Sequence, residues 1–209
     1  MAQSGRSFLP LTGAVFAVLW VITFFMVGAG PGADDPVQEV VTFYTDKQST
    51  LMLSSIMGAI GAVFFLFFVG YLRSVLRTAE GGPGTLSSIA AGGGIIATTG
   101  MLIFMGLGFV LTESVDGFEP ATVQTLNALN ANFFFPLAGG LAAFLLATGL
   151  VAVRTRALPA WLAWIAVVLG VVTLSPLGFF AFLASILWVL VTSIFLWTSQ
   201  RSTTTAPTV

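Results

Sequence analysis

The sequence predicts an all-α polytopic membrane protein, a bundle of six spanning helices. Of its 209 residues, 57% are hydrophobic and only 7% are charged, whereas soluble domains carry roughly 25% charged residues. Long apolar runs also recur along the chain, and a spanning helix needs about 20 such residues to cross a hydrocarbon core of roughly 30 Å. We predict spans at about 9–28, 51–72, 86–111, 130–153, 160–175 and 178–198.

The basic residues predict the orientation of this bundle. Six of the seven lie at the termini or in alternate loops, on the side that the positive-inside rule assigns to the cytoplasm. Seven of the eight acidic residues fall in the opposite loops, and Glu80 is the exception. Both termini are therefore placed in the cytoplasm. The six basic residues are Arg6, Arg73, Arg77, Arg154, Arg156 and Arg201.

We expect one transmembrane bundle over residues 1–200, followed by a disordered cytoplasmic tail at 201–209. The first span follows MAQSGR and precedes GAGPGA, which resembles a secretory signal with a cleavage site. It is long for a signal, so we interpret it as a retained helix. At the other end, SPLG at 175–178 separates the last two spans, and its Pro and Gly favour a tight hairpin.

The loop after the first span predicts a short amphipathic helix on the outer surface. Asp35 can cap this helix, with Pro36 at the first helical position. Val37, Val40 and Tyr44 then fall on one face at helical spacing. We expect the helix to cover the end of the bundle or to rest in the lipid headgroup layer. A lid over an outward-facing cavity is the alternative.

The third span carries a stripe with almost no side-chain volume. Gly93, Ala97 and Gly100 recur at i, i+4 and i+7 and therefore share one face. Small residues let two helix backbones approach closely, so we predict that another helix of the bundle packs on this stripe. Self-association and space for a lipid or ligand are the alternatives. Nothing in the sequence requires a homo-oligomer.

The fourth span is preceded by the most polar helical stretch of the chain. Its helical pattern begins near Val123, so Thr122 is the expected cap of a helix whose first turns stand in the outer interface. Pro136 cannot donate a hydrogen bond to the carbonyl of Asn132, which predicts a kink or a hydrated position at that point.

Three amides of this stretch are candidates for a polar vestibule or a ligand site. Asn127, Asn130 and Asn132 approach the apolar core, and Thr98 of the third span is grouped with them as a candidate lining residue. Amide oxygens can bind a solute or a cation. The simpler interpretation is that these side chains make interfacial and interhelical hydrogen bonds.

Basic and aromatic residues mark the cytoplasmic ends of the spans. We interpret them as interface anchors, because arginine and tryptophan favour the headgroup region. A specific pocket for an anionic lipid is the alternative, although such pockets usually show four to eight basic residues. The anchors are Arg73, Arg77, Arg154, Arg156, Trp161 and Trp164.

The composition weighs against several classes of catalytic and binding site. The chain has no cysteine and no histidine, which removes thiol nucleophiles, imidazole bases and the usual zinc and haem ligands. None of the fifteen charged residues falls within a predicted span, which weighs against pumps, secondary transporters and intramembrane hydrolases. With a net charge of −1, the protein has no positive electrostatic field that would attract nucleic acid. We therefore expect no catalytic site, no metal and no cofactor.

Three stretches carry a family resemblance: DDPVQEVVTFYTDK, FLFFVGYLRSVLR and LPAWLAW. Together they resemble a family of uncharacterised multi-pass membrane proteins of high-GC bacteria. In that family an outer segment ends in Phe-Tyr, here Phe43 and Tyr44, and a Leu-Pro-x-Trp-Leu motif precedes the fifth helix, here Leu158 to Leu162. The resemblance implies a location in the bacterial inner membrane. It brings no established activity.

The sequence leaves two functional hypotheses. The first is an accessory, scaffolding or lipid-interacting subunit of a larger membrane assembly, with membrane lipids and other membrane proteins as partners. The alternative is a channel or facilitator for a small neutral solute, along a path lined by the third and fourth spans. A cavity that reaches both surfaces and is lined by Asn127, Asn130 and Thr98 would favour the alternative, whereas a dry bundle would contradict it.

Overall fold

The computed structural model describes residues 7–32 and 34–203, and for residues 201–203 it describes the backbone alone. This part of the chain is helical and contains no strand, so the all-α prediction is confirmed. Short 3-10 turns at Leu9–Leu11 and Val115–Gly117 accompany the α-helices. The α-helices are α1 Thr12–Val27, α2 Val37–Asp46, α3 Gln48–Glu80, α4 Thr85–Ser114, α5 Pro120–Asn132, α6 Phe134–Thr155, α7 Ala160–Val172 and α8 Gly178–Thr203.

Five helical segments in the described part are long and apolar enough to cross a membrane. The sixth predicted span, 160–175, corresponds to α7, which has only 13 residues. At 1.5 Å per residue α7 is about 20 Å long, less than a hydrocarbon core of roughly 30 Å. The structure therefore supports a multi-pass membrane protein with five full-length spans. These are Leu9–Val27, Gln48–Glu80, Thr85–Gly117, Pro120–Thr155 and Gly178–Gln200.

The predicted hairpin between the last two spans is present. α7 ends at Val172, a turn follows, and α8 begins at Gly178. The indole Nε1 of Trp188 on α8 donates to the carbonyl of Leu162 on α7 at 2.9 Å, which joins the two helices inside the bundle. α8 continues to Thr203, and residues 204–209 of the predicted tail lie outside the described residues, as does Arg6.

Loops gather at two ends of the bundle that differ in charge. The acidic end holds the loops at 28–36, 115–119 and 173–177 together with α2 and α5, and the basic end holds the loops at 81–84 and 156–159. Glu80, the acid of the basic end, accepts hydrogen bonds from the backbone N–H groups of Leu86 at 2.9 Å and Ser87 at 2.8 Å. It therefore caps the N-terminus of α4, where a negative charge is favourable.

Two of the expected helix caps are not formed. α2 begins at Val37, and the Asp35 carboxylate instead accepts a hydrogen bond from the N–H of Gly32 at 2.6 Å. α5 begins at Pro120, so Thr122 lies within its first turn. In both cases the proline occupies the helix start or the position before it, where a fixed φ and a missing N–H favour initiation without a side-chain cap.

α4 and α6 are in direct backbone contact along the small-residue stripe. Gly93, Ala97 and Gly100 of α4 are all buried. A Cβ atom on Gly93 would lie 2.5 Å from the backbone nitrogen of Phe144 and 2.7 Å from the carbonyl oxygen of Gly140, closer than real Cβ atoms approach. The stripe therefore packs inside this bundle, against a second glycine-containing face on α6.

Aromatic rings fill the middle of the bundle. Phe16, Phe65 and Phe144, from three different helices, are at most 2% exposed. Phe65 lies 4.8 Å from Phe16 and 5.4 Å from Phe144 between ring centroids. Such tilted and edge-on ring pairs pack densely.

The first prediction tests the contact of α4 with α6. Replacing Gly93 with Leu should destabilise the protein by about 3 kcal/mol or more, because the side chain would force two backbones apart. Replacing the neighbouring Gly92 with Leu is the matched control, since a Cβ there meets nothing within 4 Å. Thermal unfolding in mild detergent measures both variants, and equal stability would mean that Gly93 faces lipid.

Candidate functional site

The fourth predicted span is broken where its polar stretch meets its apolar part. α5 ends at Asn132, Phe133 lies in a turn, and α6 begins at Phe134. Pro136 has no N–H to offer the carbonyl of Asn132, and the N–H of Phe133 bonds instead to the carbonyl of Asn130 at 3.2 Å. A one-residue break in the helix thus lies three residues before the proline, between α5 and α6.

α2 and α5 pack on each other at the acidic end, and we refer to the two helices together as the lid. A second apolar cluster, separate from the main core, lies beneath and between them. Its buried members come from the lid, from the nearby ends of α3 and α4 and from the 3-10 turn after α4. They are Val40, Tyr44, Leu51, Leu111, Val115 and Val123.

One hydrogen-bond network joins the lid to the loop before α2. The Tyr44 hydroxyl donates to Asn127 Oδ1 at 2.9 Å, and Asn127 Nδ2 donates to the carbonyl of Gly32 at 3.0 Å. Gln124 Nε2 donates to the carbonyl of Asp35 at 3.1 Å. Asn127 is only 3% exposed, and both sides of its amide are occupied by protein groups. These contacts give Asn127 a part in holding the lid.

Tyr44 is the central donor of this network. Burial raises the pKa of Tyr44 to about 12, although a hydrogen bond from the Asn130 side chain opposes the rise. The hydroxyl therefore stays protonated at physiological pH and keeps donating to Asn127. The tyrosine of the Phe-Tyr pair thus serves as the link between the two lid helices.

Beneath the lid lies a cavity of about 810 Å³, which we call the end cavity. Its volume falls within the roughly 300–1,000 Å³ of small-molecule sites. Among the described residues that line it, none carries a charge, and most are apolar or aromatic. Its polar lining residues are Thr23, Tyr44, Ser54, Ser55, Thr112, Asn127 and Asn130.

Most hydroxyl groups of this lining donate hydrogen bonds to backbone carbonyls. Ser54 Oγ donates to the carbonyl of Leu51 at 2.8 Å, and Thr112 Oγ1 donates to that of Gly108 at 2.7 Å. Thr23 Oγ1 similarly lies 3.5 Å from the carbonyl of Ser54. Such hydroxyls can offer a ligand only their lone pairs.

Asn130 is a lining residue with an unused polar atom. Its Oδ1 is buried and has no hydrogen-bond partner in the described part of the chain. The amide faces α4 and α3, because its Nδ2 lies 4.0 Å and Ser55 Oγ lies 3.4 Å from the position of a Cβ on Gly108. The Oδ1 atom is thus covered by neighbouring protein atoms, and Nδ2 is the atom of this amide that lies toward Gly108.

The end cavity extends to about the middle of the bundle. Its lining residues Trp20, Met105 and Ile186 belong to the same buried apolar cluster as Phe65 and Phe144. The indole of Trp20 is fixed there by a hydrogen bond from Nε1 to the carbonyl of Gly58 at 3.1 Å.

The structure brings together two of the four predicted vestibule residues. Asn127 and Asn130 both line the end cavity. Thr98 does not; it is buried and bonds to the carbonyl of Gly94 at 2.8 Å. Asn132 is exposed and bonds to the carbonyl of Ala128 on its own helix. Ser55 also lines the end cavity, but no pattern predicts this, because Ser55 is one serine among several in a small-residue helix.

Exposed aromatic rings are among the lining residues of the end cavity. Phe24 and Phe25 end α1, Phe179 begins α8, and they are 42%, 78% and 48% exposed. Phe24 and Phe179 are in contact, with ring centroids 6.3 Å apart. These rings belong to the apolar parts of two spanning helices, next to the loop at 28–31.

The predicted interface anchors lie at the basic end. Arg73, Arg154 and Arg156 are exposed, as are Trp161 and Trp164, which are 55% and 57% exposed. A second cavity of about 430 Å³ lies beside them and includes Arg156 and Trp164 in its lining.

Arg77, grouped with these anchors in the sequence, has a structural role. Its Nη1 donates to the carbonyls of Gly81 at 3.2 Å and Gly82 at 2.6 Å. It thereby holds the turn between α3 and α4.

The second prediction concerns the lid network. Replacing Tyr44 with Phe should weaken the lid by about 1–3 kcal/mol, because Asn127 Oδ1 loses its donor while it stays buried. Hydrogen exchange of the α2 amides should become faster in this variant. Thr45→Val is the control, since that exposed hydroxyl bonds only to the carbonyl of Val41 on its own helix.

The raised pKa gives the same network a pH dependence. Tyr44 ionises near its ordinary value of 10 when unfolded and near about 12 when folded. The folded state therefore binds more protons between these values, and stability should fall as the pH rises from 10 to 12. Tyr44→Phe should remove this fall, and an unchanged fall in that variant would contradict the assignment to Tyr44.

Comparison with known proteins gives no match: no family model, no curated protein and no solved structure is significantly similar to this chain.

Proposed function

We propose that the protein is a lipid-interacting integral membrane protein that binds one neutral, mainly apolar molecule in the end cavity. The observation that carries this proposal is the end cavity itself, with its volume of about 810 Å³ and its uncharged lining. A charged ligand would lose its hydration there without gaining an opposite charge. An apolar molecule would gain contacts with aromatic and aliphatic side chains.

The exposed aromatic part of the lining supports the bilayer as the source of this molecule. Phe24, Phe25 and Phe179 line the end cavity and also expose large apolar surfaces. Aromatic rings at the end of a spanning helix favour the interface between hydrocarbon and headgroups. A lipid in the bilayer could therefore contact these lining residues without crossing water.

The other hypotheses have less support. A facilitator needs a path through the bundle, and the end cavity stops above the packed rings of Phe65 and Phe144. The role of accessory or scaffolding subunit stays a prediction, as do protein partners, self-association and the absence of enzymatic activity.

For the topology we propose six passes with the basic end and both termini in the cytoplasm, in the bacterial inner membrane. The arginines of the basic end support this orientation. α7 supports the sixth pass, because it returns the chain to the acidic end between α6 and α8.

The third prediction tests this orientation with single cysteines in a chain that has none of its own. Asp116→Cys lies at the acidic end and Thr78→Cys near the basic end, and both positions are exposed. A membrane-impermeant maleimide should label only Asp116→Cys in intact spheroplasts, and both variants after the membrane is opened. Labelling of Thr78→Cys alone before the membrane is opened would mean that the orientation is the opposite of the one proposed.

The fourth prediction tests the proposed function. Gly108 lines the end cavity, and a Cβ there meets Ser55 only at ordinary contact distance, so Gly108→Leu should fill the space without disturbing the backbone. Gly106→Leu on the same helix is the matched control, because a Cβ there meets nothing within 4 Å. The probe is a long-chain bromoalkane, whose bromine quenches the fluorescence of Trp20.

Saturable quenching is expected in the wild type and in Gly106→Leu. In Gly108→Leu the probe should bind about tenfold more weakly or worse, because the side chain occupies its space. A Trp20→Phe variant identifies the part of the signal that comes from the end cavity. Quenching that never saturates, or that is equal in all variants with Trp20, would show that the end cavity takes no apolar ligand.

A further inference from the structure

We infer that the molecule in the end cavity is a neutral lipid with an ester or ketone carbonyl group, and that the Ser55 hydroxyl donates a hydrogen bond to this carbonyl oxygen. This inference rests on the proposed function and names the class of ligand for the same site. It follows from an unused donor in the lining, from a second donor that borders the same space, and from the missing side chain at position 108.

Ser55 is a buried serine whose hydroxyl has no hydrogen-bond partner within the described part of the chain. It lines the end cavity and is 8% exposed. A serine inside a helix often donates to the carbonyl four residues before it, which here belongs to Leu51. That carbonyl already accepts the Ser54 hydroxyl at 2.8 Å in addition to the helical N–H, and a carbonyl has only two lone pairs. The Ser55 proton is therefore left for a ligand.

The Ser55 hydroxyl borders a space that glycine leaves open on α4. A Cβ atom on Gly108 would lie 3.4 Å from Ser55 Oγ, and the other atom that it would meet within 4 Å is Asn130 Nδ2, at 4.0 Å. Any side chain at this position would take up part of the space. The glycine thus keeps room for an atom of the ligand next to a hydrogen-bond donor.

Asn130 supplies a second donor beside the same space. Its amide nitrogen carries two protons, and the bond to Tyr44 uses one of them. Its Oδ1 is covered by protein atoms, so the amide turns its nitrogen and not its oxygen toward Gly108. Two neutral donors, one on α3 and one on α5, therefore border one space. The ligand group that complements them is an acceptor.

A carbonyl oxygen suits these donors better than a hydroxyl group does. It has two lone pairs and no proton, so it can accept both bonds and leave nothing unpaired. A ligand hydroxyl would bring a proton that needs an acceptor of its own. The lining hydroxyls of Ser54 and Thr112 are only 2% and 0% exposed. Asn127 Oδ1 already accepts from the hydroxyl of Tyr44.

The charges near the end cavity disfavour an ionised acceptor. The described lining contains no arginine or lysine, so a phosphate or carboxylate would be buried without an opposite charge. Lys47 lies outside the lining and is exposed. Its Nζ is 3.5 Å from the carbonyl of Val27 and 4.8 Å from the centroid of the Phe43 ring. The acceptor group of the ligand is therefore uncharged.

The fifth prediction concerns displacement of the bromoalkane probe, measured as recovery of Trp20 fluorescence. The competitors are a long-chain methyl ketone, a fatty-acid methyl ester and the alkane of equal length, which lacks the acceptor. In Ser55→Ala the advantage of the carbonyl compounds over the alkane should shrink by about fivefold, because one hydrogen bond is lost. Each competitor partitions into the detergent equally for all variants, so this change reports the protein alone. The more effective carbonyl compound identifies the ester or the ketone class.

Ser74→Ala is the matched control. Ser74 is on the same helix, is exposed, lies outside the lining and bonds to the carbonyl of Gly70, so this variant should keep the wild-type advantage. Gly108→Ala is a second test of the same space, because its methyl group would meet Ser55 Oγ at contact distance. This variant should also lower the advantage of the carbonyl compounds, while the alkane still displaces the probe.

The outcomes separate the two claims. An equal advantage of the carbonyl compounds in the wild type and in Ser55→Ala would overturn the present inference and leave the proposed function standing. Failure of the bromoalkane to quench Trp20 in a saturable way would overturn both. Stronger displacement by the fatty acid or the alcohol of equal length than by either carbonyl compound would assign another polar group to the ligand and would also overturn the inference.

Discussion

The close contact between the backbones of α4 and α6 is the constraint on which the rest of the structure depends. No side chain fits between Gly93 and Gly140, so the two helices are held at a distance that larger residues forbid. The other spans pack around this pair, and Phe65 of α3 reaches Phe144 of α6 at 5.4 Å. A membrane bundle has little hydrophobic force to hold helices together, so such close packing supplies much of its cohesion.

The end cavity exists because this contact does not continue to the acidic end. α6 begins only at Phe134, since Pro136 interrupts the helical hydrogen bonds before it. α5 instead packs with α2, and the network of Tyr44 and Asn127 fixes the pair as the lid. The lining of the end cavity includes the exposed rings of Phe24 and Phe179 and does not include the packed rings of Phe65 and Phe144.

Much of the fold could be predicted from local features of the sequence. Apolar runs locate the spanning helices, and the spacing of Gly93, Ala97 and Gly100 defines a face that another helix can approach. The identity of that helix could not be predicted, because helical spacing shows which residues share a face and says nothing of what the face meets. The short α7 shows the same limit: its composition matches that of a span, but the turn after Val172 cuts it short.

The candidate site was less predictable for the same reason. Asn130 and Asn132 are two residues apart and look alike in the sequence, yet a rotation of about 200° between them on a helix sends one inward and the other outward. Tyr44 and Asn127 are separated by 83 positions, so only the tertiary structure shows that they bond. Whether the side-chain oxygen of Asn130 is paired depends on its neighbours in the tertiary structure, which the sequence does not show.

A single pair of cysteine variants tests the central claim, that a cavity open at the acidic end stops at the middle of the bundle. Gly108 lines the end cavity and Thr98, on the same helix, lies beyond it. In mild detergent, a small uncharged maleimide should modify Gly108→Cys in the folded protein and should modify Thr98→Cys only after unfolding. Equal modification of both folded variants would mean that the space continues through the bundle, and would contradict the account.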